Sequence, residues 1–428
     1  MKENTFSGEF LFELADTMPV GSVLYQEHLK LTDKSHIALF AKYLMPLWYS
    51  SISAEHEAVR RAAGIFDCTH MGVLEVAGAN AVGFLNSVTT GEFNELEVGT
   101  AQYCYVLDAV GNVLDDIIAY RRAEDKFMLV VNALNTPKIK AYFEALKSDR
   151  VGIDVDQPDR KLEHKPITRD MKMSDGTGRC RVDIALQGPR SIDVLSALTE
   201  EQLQQRIASL RPFHFIEEHI QGIECLISRT GYTGARIGFE LFVHPEKAPR
   251  LWELILQAGK PLGLMPCGLG ARDSLRIEAG LPLYGHELGG KFNISPFEAG
   301  YGWAVKLQKE FFIGKAAMVQ TAKTYNMKVA RVKLPGKKGV RPVRQNDGVL
   351  NENGECIGWV SSCAKAGKNQ FALIYVDRKT AKENDTVGVY YVARSRSRTQ
   401  LGRKQNVEKG QDLDADIVGT VVSRFAEF

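Results

Sequence analysis

Apolar and polar residues along this chain follow two rhythms, one repeating every 3.6 positions and one every 2, and the switches between them mark out its elements. A short amphipathic helix is expected after the aromatic-rich segment Phe40–Tyr49, with Ser53 as its N-cap, Glu55 and Glu57 at the positive end of the helix dipole, and Gly64 as its stop. Between Thr69 and Ala133 the rhythm is that of strands: Ala101–Asp108, a turn at Gly111-Asn112, Val113–Tyr120, and Phe127–Asn132. A helix capped by Thr136, with Pro137 in its first position, then places Ile139, Tyr142, Phe143 and Leu146 on one face. Residues 155–182 form a polar stretch ending in Lys172–Cys180, which reads as an exposed loop or insertion. Further on, the pattern predicts a strand at Ile223–Ser228 and helices at Ala248–Ala258 and Leu269–Ala279. From Val329 nearly everything is strand: Val329–Leu334, Ile357–Ser361, Phe371–Val376, Val387–Ala393 and Ile417–Val422. Five short strands with turn residues between them suggest a small C-terminal barrel.

Length and charge narrow the picture. At 428 residues the chain is too long for one small core, and a prior of about 150 residues per domain suggests about three. Its 54 basic and 52 acidic residues leave a net charge of +2, so no chain-wide field directs it to nucleic acid or a membrane surface. No apolar run approaches the ~20 residues of a membrane helix. The opening stretch carries Glu3, Glu9, Glu13 and Asp16, which suits neither a secretory leader nor a transit peptide. The expectation is a soluble, cytoplasmic protein with neither a nucleic-acid nor a membrane partner. Seven cysteines, an odd number with no C-x-x-C, indicate neither a disulfide framework nor a thiolate zinc site, and no metal is expected. H-E-x-x-H, P-loop, G-x-S-x-G and G-x-G-x-x-G fingerprints are absent.

Three clusters place ionisable groups beside glycines or aromatics. In Leu114-Asp115-Asp116-Ile117, flanked by Tyr103 and Tyr120, strand alternation sends the two acids to opposite faces. One is expected to meet solvent; the other lies among apolar residues, where a carboxylate is costly unless paired. The plainer reading is a strand-end aspartate satisfied by backbone N–H groups. In Arg229-Thr-Gly-Tyr-Thr-Gly-Ala-Arg-Ile-Gly-Phe-Glu240, three glycines allow close backbone approach, and Glu240 follows on an apolar strand. Its two oxygens match the paired N–H donors of a pterin or guanine edge, and equally an internal arginine. In Gly268–Ala279, Arg272 and Arg276 lie i, i+4 on one helix face, with Glu278 on another. Such a stripe holds a carboxylate or phosphate, or, more commonly, is simply solvated. The basic tract Arg394–Arg398 with Arg403-Lys404 is offset by Asp412, Asp414 and Asp416 and reads as a solvated loop.

Taken together, Glu55–Met71, Gly111–Asp116, Leu186–Pro189, Arg229–Gly234, Gly270–Leu281 and Phe312–Lys315 resemble, in order across residues 23–376, the aminomethyltransferase family, the T-protein of the glycine cleavage system. The resemblance implies an α+β, three-lobed, ring-like folate-binding fold with a small C-terminal β-barrel. It implies a discontinuous first domain of residues 1–55 and 185–325, a second of 56–184, and a barrel domain of 326–428. It also implies transfer of a one-carbon unit from the aminomethyl-lipoyl arm of H-protein to tetrahydrofolate, with ammonia released. By motif position, Asp116 is similar to the family's essential aspartate, Glu240 to its pterin-anchoring glutamate and Arg272 to its ligand-site arginine. Tyr103, Tyr120, Val130 and Tyr232 fall where the family lines its folate pocket. A fixed carboxylate in a dry site would stabilise the positive character that develops during transfer. The sequence departs from the family in Gly111-Asn112, where Gly-Gly is usual, and in Ala235–Gly238, where Glu-Asp-Gly follows Tyr-Thr-Gly. The altered loop keeps open a folate-dependent O- or S-demethylase. A non-catalytic folate-binding assembly protein is the other alternative, opposed by the lack of that branch's cysteine motif at Phe312–Ala317.

Overall fold

The computed structural model describes residues 8–15, 17–173, 178–426 and 428. They divide into two compact units, the first comprising the chain up to Gly231, Ala235–Leu269 and Trp303–Gln320, the second Tyr232–Gly234, Gly270–Gly302 and Thr321 onward.

In the first unit, helix α1 (Ile52–Arg61) leads into β1 (Ala63–Asp67) and β2 (Gly72–Ala77). Strands β3 (Ala101–Leu107), β4 (Val113–Ala123) and β5 (Lys126–Val131) follow, then helix α2 (Thr136–Lys147), β6 (Ile167–Asp170) and β7 (Val182–Gln187). Strands β8 (Phe215–Ile220), β9 (Ile223–Ser228) and β10 (Gly238–Val243), helix α3 (Ala248–Gly259) and β11 (Leu264–Cys267) come after these. These strands form the unit's two large sheets, ordered β8-β9-β10-β7-β1-β11 and β3-β4-β5-β2-β6, beside a small three-stranded one of Val20–Gly21, Tyr43–Pro46 and Ile37–Phe40.

Alternation along the strands sorts their side chains into layers. Leu241, Phe239, Ile227 and Ile184 pack with Leu251, Trp252 and Ile255 of α3 on the outer face of the first sheet. Ile117, Ala119, Leu129 and Phe127 pack with Ile139, Tyr142 and Phe143 of α2 on the outer face of the second. The opposite faces meet each other: Tyr120, Met128, Val130 and Val73 against Phe215, Leu226 and Phe242. The unit is therefore a helix–sheet–sheet–helix stack in which both faces of β4 are covered.

Three local expectations shift. The cap of α1 is Ser51, whose extended backbone precedes the first turn and whose Oγ accepts from Ala54 N at 3.2 Å; Ser53 already lies inside the helix. Gly64 is not a stop but a β1 residue, where a Cβ would stand 2.4 Å from Val59 and 2.6 Å from Cys267 Sγ. Helix α2 takes Asn135 as its cap position, one residue before Thr136. The polar stretch 155–182 contains the edge strand β6, paired with β2, so it is not loop throughout. Lys172 is tied down there by bonds to Thr69 O (2.6 Å) and Tyr43 Oη (3.1 Å), and Ser174–Thr177 lie outside the described residues.

The second unit carries helix α4 (Leu269–Ala279, all but its first residue) and a closed six-stranded barrel. The barrel strands are β12 (Met327–Pro335), β13 (Gly348–Leu350), β14 (Cys356–Ala366), β15 (Asn369–Asp377), β16 (Thr386–Tyr390) and β17 (Ile417–Val422), in the order β12-β15-β14-β13-β16-β17. Five are the expected ones. The sixth, β13, is three residues long and too short to announce itself by alternation, yet it closes the ring between β14 and β16. In the basic tract, Arg396–Gln400 forms a short exposed helix, while Arg394 pairs with Asp347 at 3.0 Å and Arg403 with Asp416.

Arg276 is not on a solvated face. Its side chain is 1% exposed and pairs with the fully buried Glu287 at 2.7 Å and with Asp273 at 2.8 Å, while Nη2 donates to Ser362 Oγ at 2.9 Å. Glu287 also accepts from Ser361 Oγ at 2.6 Å. Burial alone would raise the Glu287 carboxyl, but Arg276 and the serine hydroxyls outweigh it and hold it below the usual glutamate range. Removing Arg276 strands this acid. R276A is therefore expected to cost about 3–5 kcal/mol, read as a lower midpoint in urea unfolding.

Candidate active site

The layer between the two large sheets of the first unit brings together Tyr120, Val130 and Glu240, with Asp116 farther along β4. On β4, Asp116, Ile118 and Tyr120 share one face, since they sit at every second position. Pairing sets Ile118 beside Val130 and Tyr120 beside Met128 on β5, and Tyr105 of β3 beside Asp116. On β10, Glu240 shares a face with Phe242, which belongs to the same inter-sheet cluster as Tyr120 and Val130. The row from Asp116 to Tyr120 covers about 13 Å at ~3.3 Å per residue, and it ends on Glu240.

At that end Tyr120 donates to Glu240 Oε2 at 3.1 Å, and Thr230 Oγ1 donates to the same oxygen at 2.5 Å. Tyr120 is fully buried, and burial together with the Glu240 charge pushes its phenol far above the usual range, so it remains a donor. Glu240 itself is 7% exposed. No arginine or lysine pairs with it among the described residues, so the internal Arg–Glu alternative falls away. Both bonds it accepts fall on one oxygen, Oε2.

The glycines of the preceding loop have a specific reason. A Cβ on Gly231 would lie 2.0 Å from Gln187 Oε1 and one on Gly238 2.5 Å from it. Gln187 needs that space to donate to Thr230 O and Phe239 O, both at 3.2 Å, which fixes the loop against β7.

At the other end of the row Asp116 is held on both oxygens. Tyr103 Oη donates to Oδ2 at 2.8 Å and Asn132 Nδ2 to Oδ1 at 2.8 Å. Asp115, expected to face solvent if Asp116 did not, is 0% exposed. The reason is the layering: the second face of β4 is covered by α2, and the turn leading into that helix folds over the acid. Asp115 accepts from Asn132 N (3.0 Å), Asn132 Nδ2 (2.8 Å) and Asn135 Nδ2 (2.6 Å). Burial, reinforced by the Asp116 charge, pushes Asp115 up to about 7 against these donors. Burial raises Asp116 as well, opposed by its Tyr103 and Asn132 bonds.

Arg272 and Tyr232 belong to the second unit, where they meet each other. The guanidinium lies 5.0 Å from the centre of the Tyr232 ring, whose Oη donates to Pro282 O at 2.6 Å. The structure thus joins Asp116 to Tyr103, Tyr120 and Val130 to Glu240's layer, and Arg272 to Tyr232. Sequence reasoning overlooked Asn132, Asn135, Thr230 and Trp303. Trp303 is 57% exposed with its ring 6.0 Å from that of Tyr103. The spacing Asn132-x-x-Asn135 straight after a strand was the available signal for the first two. Among the described residues no cluster of three or more His, Cys, Asp or Glu is placed to hold a metal ion.

The family model described as the GCVT N-terminal domain matches residues 24–309. An aminomethyltransferase of Halalkalibacterium halodurans is 44% identical over 277 residues, covering 64% of this chain and 68% of that protein. Aminomethyltransferases of Alkaliphilus metalliredigens and Bacillus subtilis are each 36% identical, covering 86% and 82% of this chain and 91% and 89% of theirs. The crystal structure of glycine cleavage system aminomethyltransferase T from Bartonella henselae matches with a TM-score of 0.73 at 28% identity, over 94% of this chain and 97% of that one.

The raised Asp115 pKa has a signed consequence. Between the unfolded value near 3.8 and about 7 the native state binds the extra proton, so this group's stabilisation is complete at low pH and is lost as pH rises through 7. The unfolding free energy of the wild type relative to D115N is therefore expected to fall between about pH 4 and about pH 7, measured by urea unfolding at each pH.

Proposed function

The chain belongs to the GCVT family of aminomethyltransferases, and we propose that it transfers the one-carbon unit of aminomethyl-lipoyl H-protein to tetrahydrofolate, releasing ammonia, as the T-protein of a cytoplasmic glycine cleavage system. Relatives bearing the aminomethyltransferase name over most of both chains favour this over the demethylase and assembly-protein readings. No helix among the described residues is long and apolar enough to cross a membrane.

The observation that carries the reading is the row of Asp116, Ile118, Tyr120 and Glu240 in the inter-sheet layer, with an acid at each end and no cation on Glu240. Tetrahydrofolate supplies the amine nitrogens that accept the one-carbon unit. Glu240 Oε1 has room to accept an N–H of the pterin, while Tyr120 and Thr230 steady its other oxygen. Ile118, Val130 and the Tyr120 ring offer an apolar wall that keeps water from the transfer. Asp116, gripped by Tyr103 and Asn132, presents fixed negative charge where positive character develops, which costs no reorganisation at the moment of transfer. By motif position Arg272, held over the Tyr232 ring, is the residue proposed to match the family's ligand-site arginine.

Two measurements check this. D116N should lower kcat about 10²- to 10³-fold in folate-dependent ammonia release from aminomethyl H-protein; wild-type turnover in that variant, or no release by the parent, rejects the assignment. E240Q should weaken tetrahydrofolate binding by roughly 1.5–3 kcal/mol in a titration, because a charged acceptor is lost, and unchanged affinity removes Glu240 as the anchor.

A further inference from the structure

We propose that Asp115 is a positioning residue for the transfer, acting through Asn132 to fix the orientation of the Asp116 carboxylate. The inference rests on Asp116 being the acid at the transfer site and adds the means by which it is held.

Asp115 and Asp116 are neighbours on β4 and point to opposite faces, so neither can steer the other directly. Asn132, the first residue after β5, sits at the strand end, within reach of both. Asp115 grips this residue twice, Oδ2 taking its backbone N–H at 3.0 Å and Oδ1 its side-chain amide at 2.8 Å. Asp115 Oδ2 takes the Asn132 backbone N–H and Oδ1 accepts from Asn135 Nδ2, so Oδ1 is an acceptor and Asn132 turns its NH2, not its carbonyl oxygen, toward it. The second N–H of the same NH2 group then lands on Asp116 Oδ1 at 2.8 Å. Were the amide reversed, its oxygen would face two carboxylates at once.

Asn135 Nδ2, at the start of α2, anchors Asp115 Oδ1 from the far side at 2.6 Å. Charged and titratable groups around this cluster are Asp116 on β4 itself, Lys138 on α2 and Tyr103 on β3. Tyr103 closes the grip on Asp116 by donating to Oδ2 at 2.8 Å. Asp115 is 0% exposed and cannot meet a substrate, so its route to the chemistry runs through Asn132. An exposed aspartate at this position would leave the amide free to flip; full burial with three N–H donors sets it one way.

The test compares kcat with folate affinity in Asp115→Asn. An amide there sets N–H against N–H and loosens Asn132, so kcat should fall about tenfold or more while the tetrahydrofolate Kd stays within about twofold. The pH profile of kcat should also lose the step that belongs to the second ionisation of the acid pair. Asn135→Ala, which keeps Asp115 and Asn132 and removes one anchor, should lower kcat by roughly threefold with Kd unchanged; it decides the matter if Asp115→Asn fails to fold. A folded Asp115→Asn with wild-type kcat overturns the proposal, as does a parallel loss of kcat, folate affinity and thermal stability, which marks a scaffold role only. If Asp116→Asn itself turns over normally, it is the assignment of the transfer site that fails.

Discussion

A carboxylate leaves water only where other donors take over its solvation, and the nature of those donors decides what the acid is free to do. Four carboxylates of this chain, Glu287, Glu240, Asp115 and the part-buried Asp116, meet that constraint in three ways. Glu287 receives a guanidinium, the Ser361 hydroxyl and the Leu283 N–H, so its charge is spent inside the fold. Glu240 receives only neutral hydroxyls, both on one oxygen. Asp115 and Asp116 share an amide, which orients without neutralising. Asp116 and Glu240 lie on the faces that meet between the sheets, Asp115 lies on the outer face under α2, and Glu287 lies against barrel strand β14.

The layer between the sheets exists because both large sheets of the first unit are covered on both faces. Helices close the outside through Trp252 and Tyr142, and the inner faces meet through Tyr120 and Phe242. A polar group placed there is held by the two sheets together, and the Tyr120–Glu240 bond runs from one sheet to the other. Rigid strands, rather than loops, therefore carry both acids, which suits a site that must hold charge in place.

Much of this was legible in the residues. The strand Ile223–Ser228, the helix Leu269–Ala279 and the strand Ile417–Val422 appear with the boundaries their patterns suggest, because each is long enough for several periods and ends at a polar or glycine break. Family motifs pointed to Asp116 and Glu240, and the structure supplied their partners. What was missed depends on distant neighbours. Alternation predicts an exposed face only for a strand with one open side, so it misplaced Asp115. Helical spacing put Arg276 beside Arg272, but only the fold of residues 281–287 back onto the helix and the barrel serines turn Arg276 inward. Strand β13 left no trace in the pattern, since three residues contain barely one alternation.

The ion-paired arginine of α4 has a mechanical corollary. Arg272 rides one turn ahead of Arg276 on the same short helix, and Arg276 is pinned to Ser362 of barrel strand β14 and, through Glu287, to Ser361. The helix cannot slide or roll without tearing a desolvated charge from its counter-ion, so two barrel serines set the azimuth at which Arg272 leaves α4.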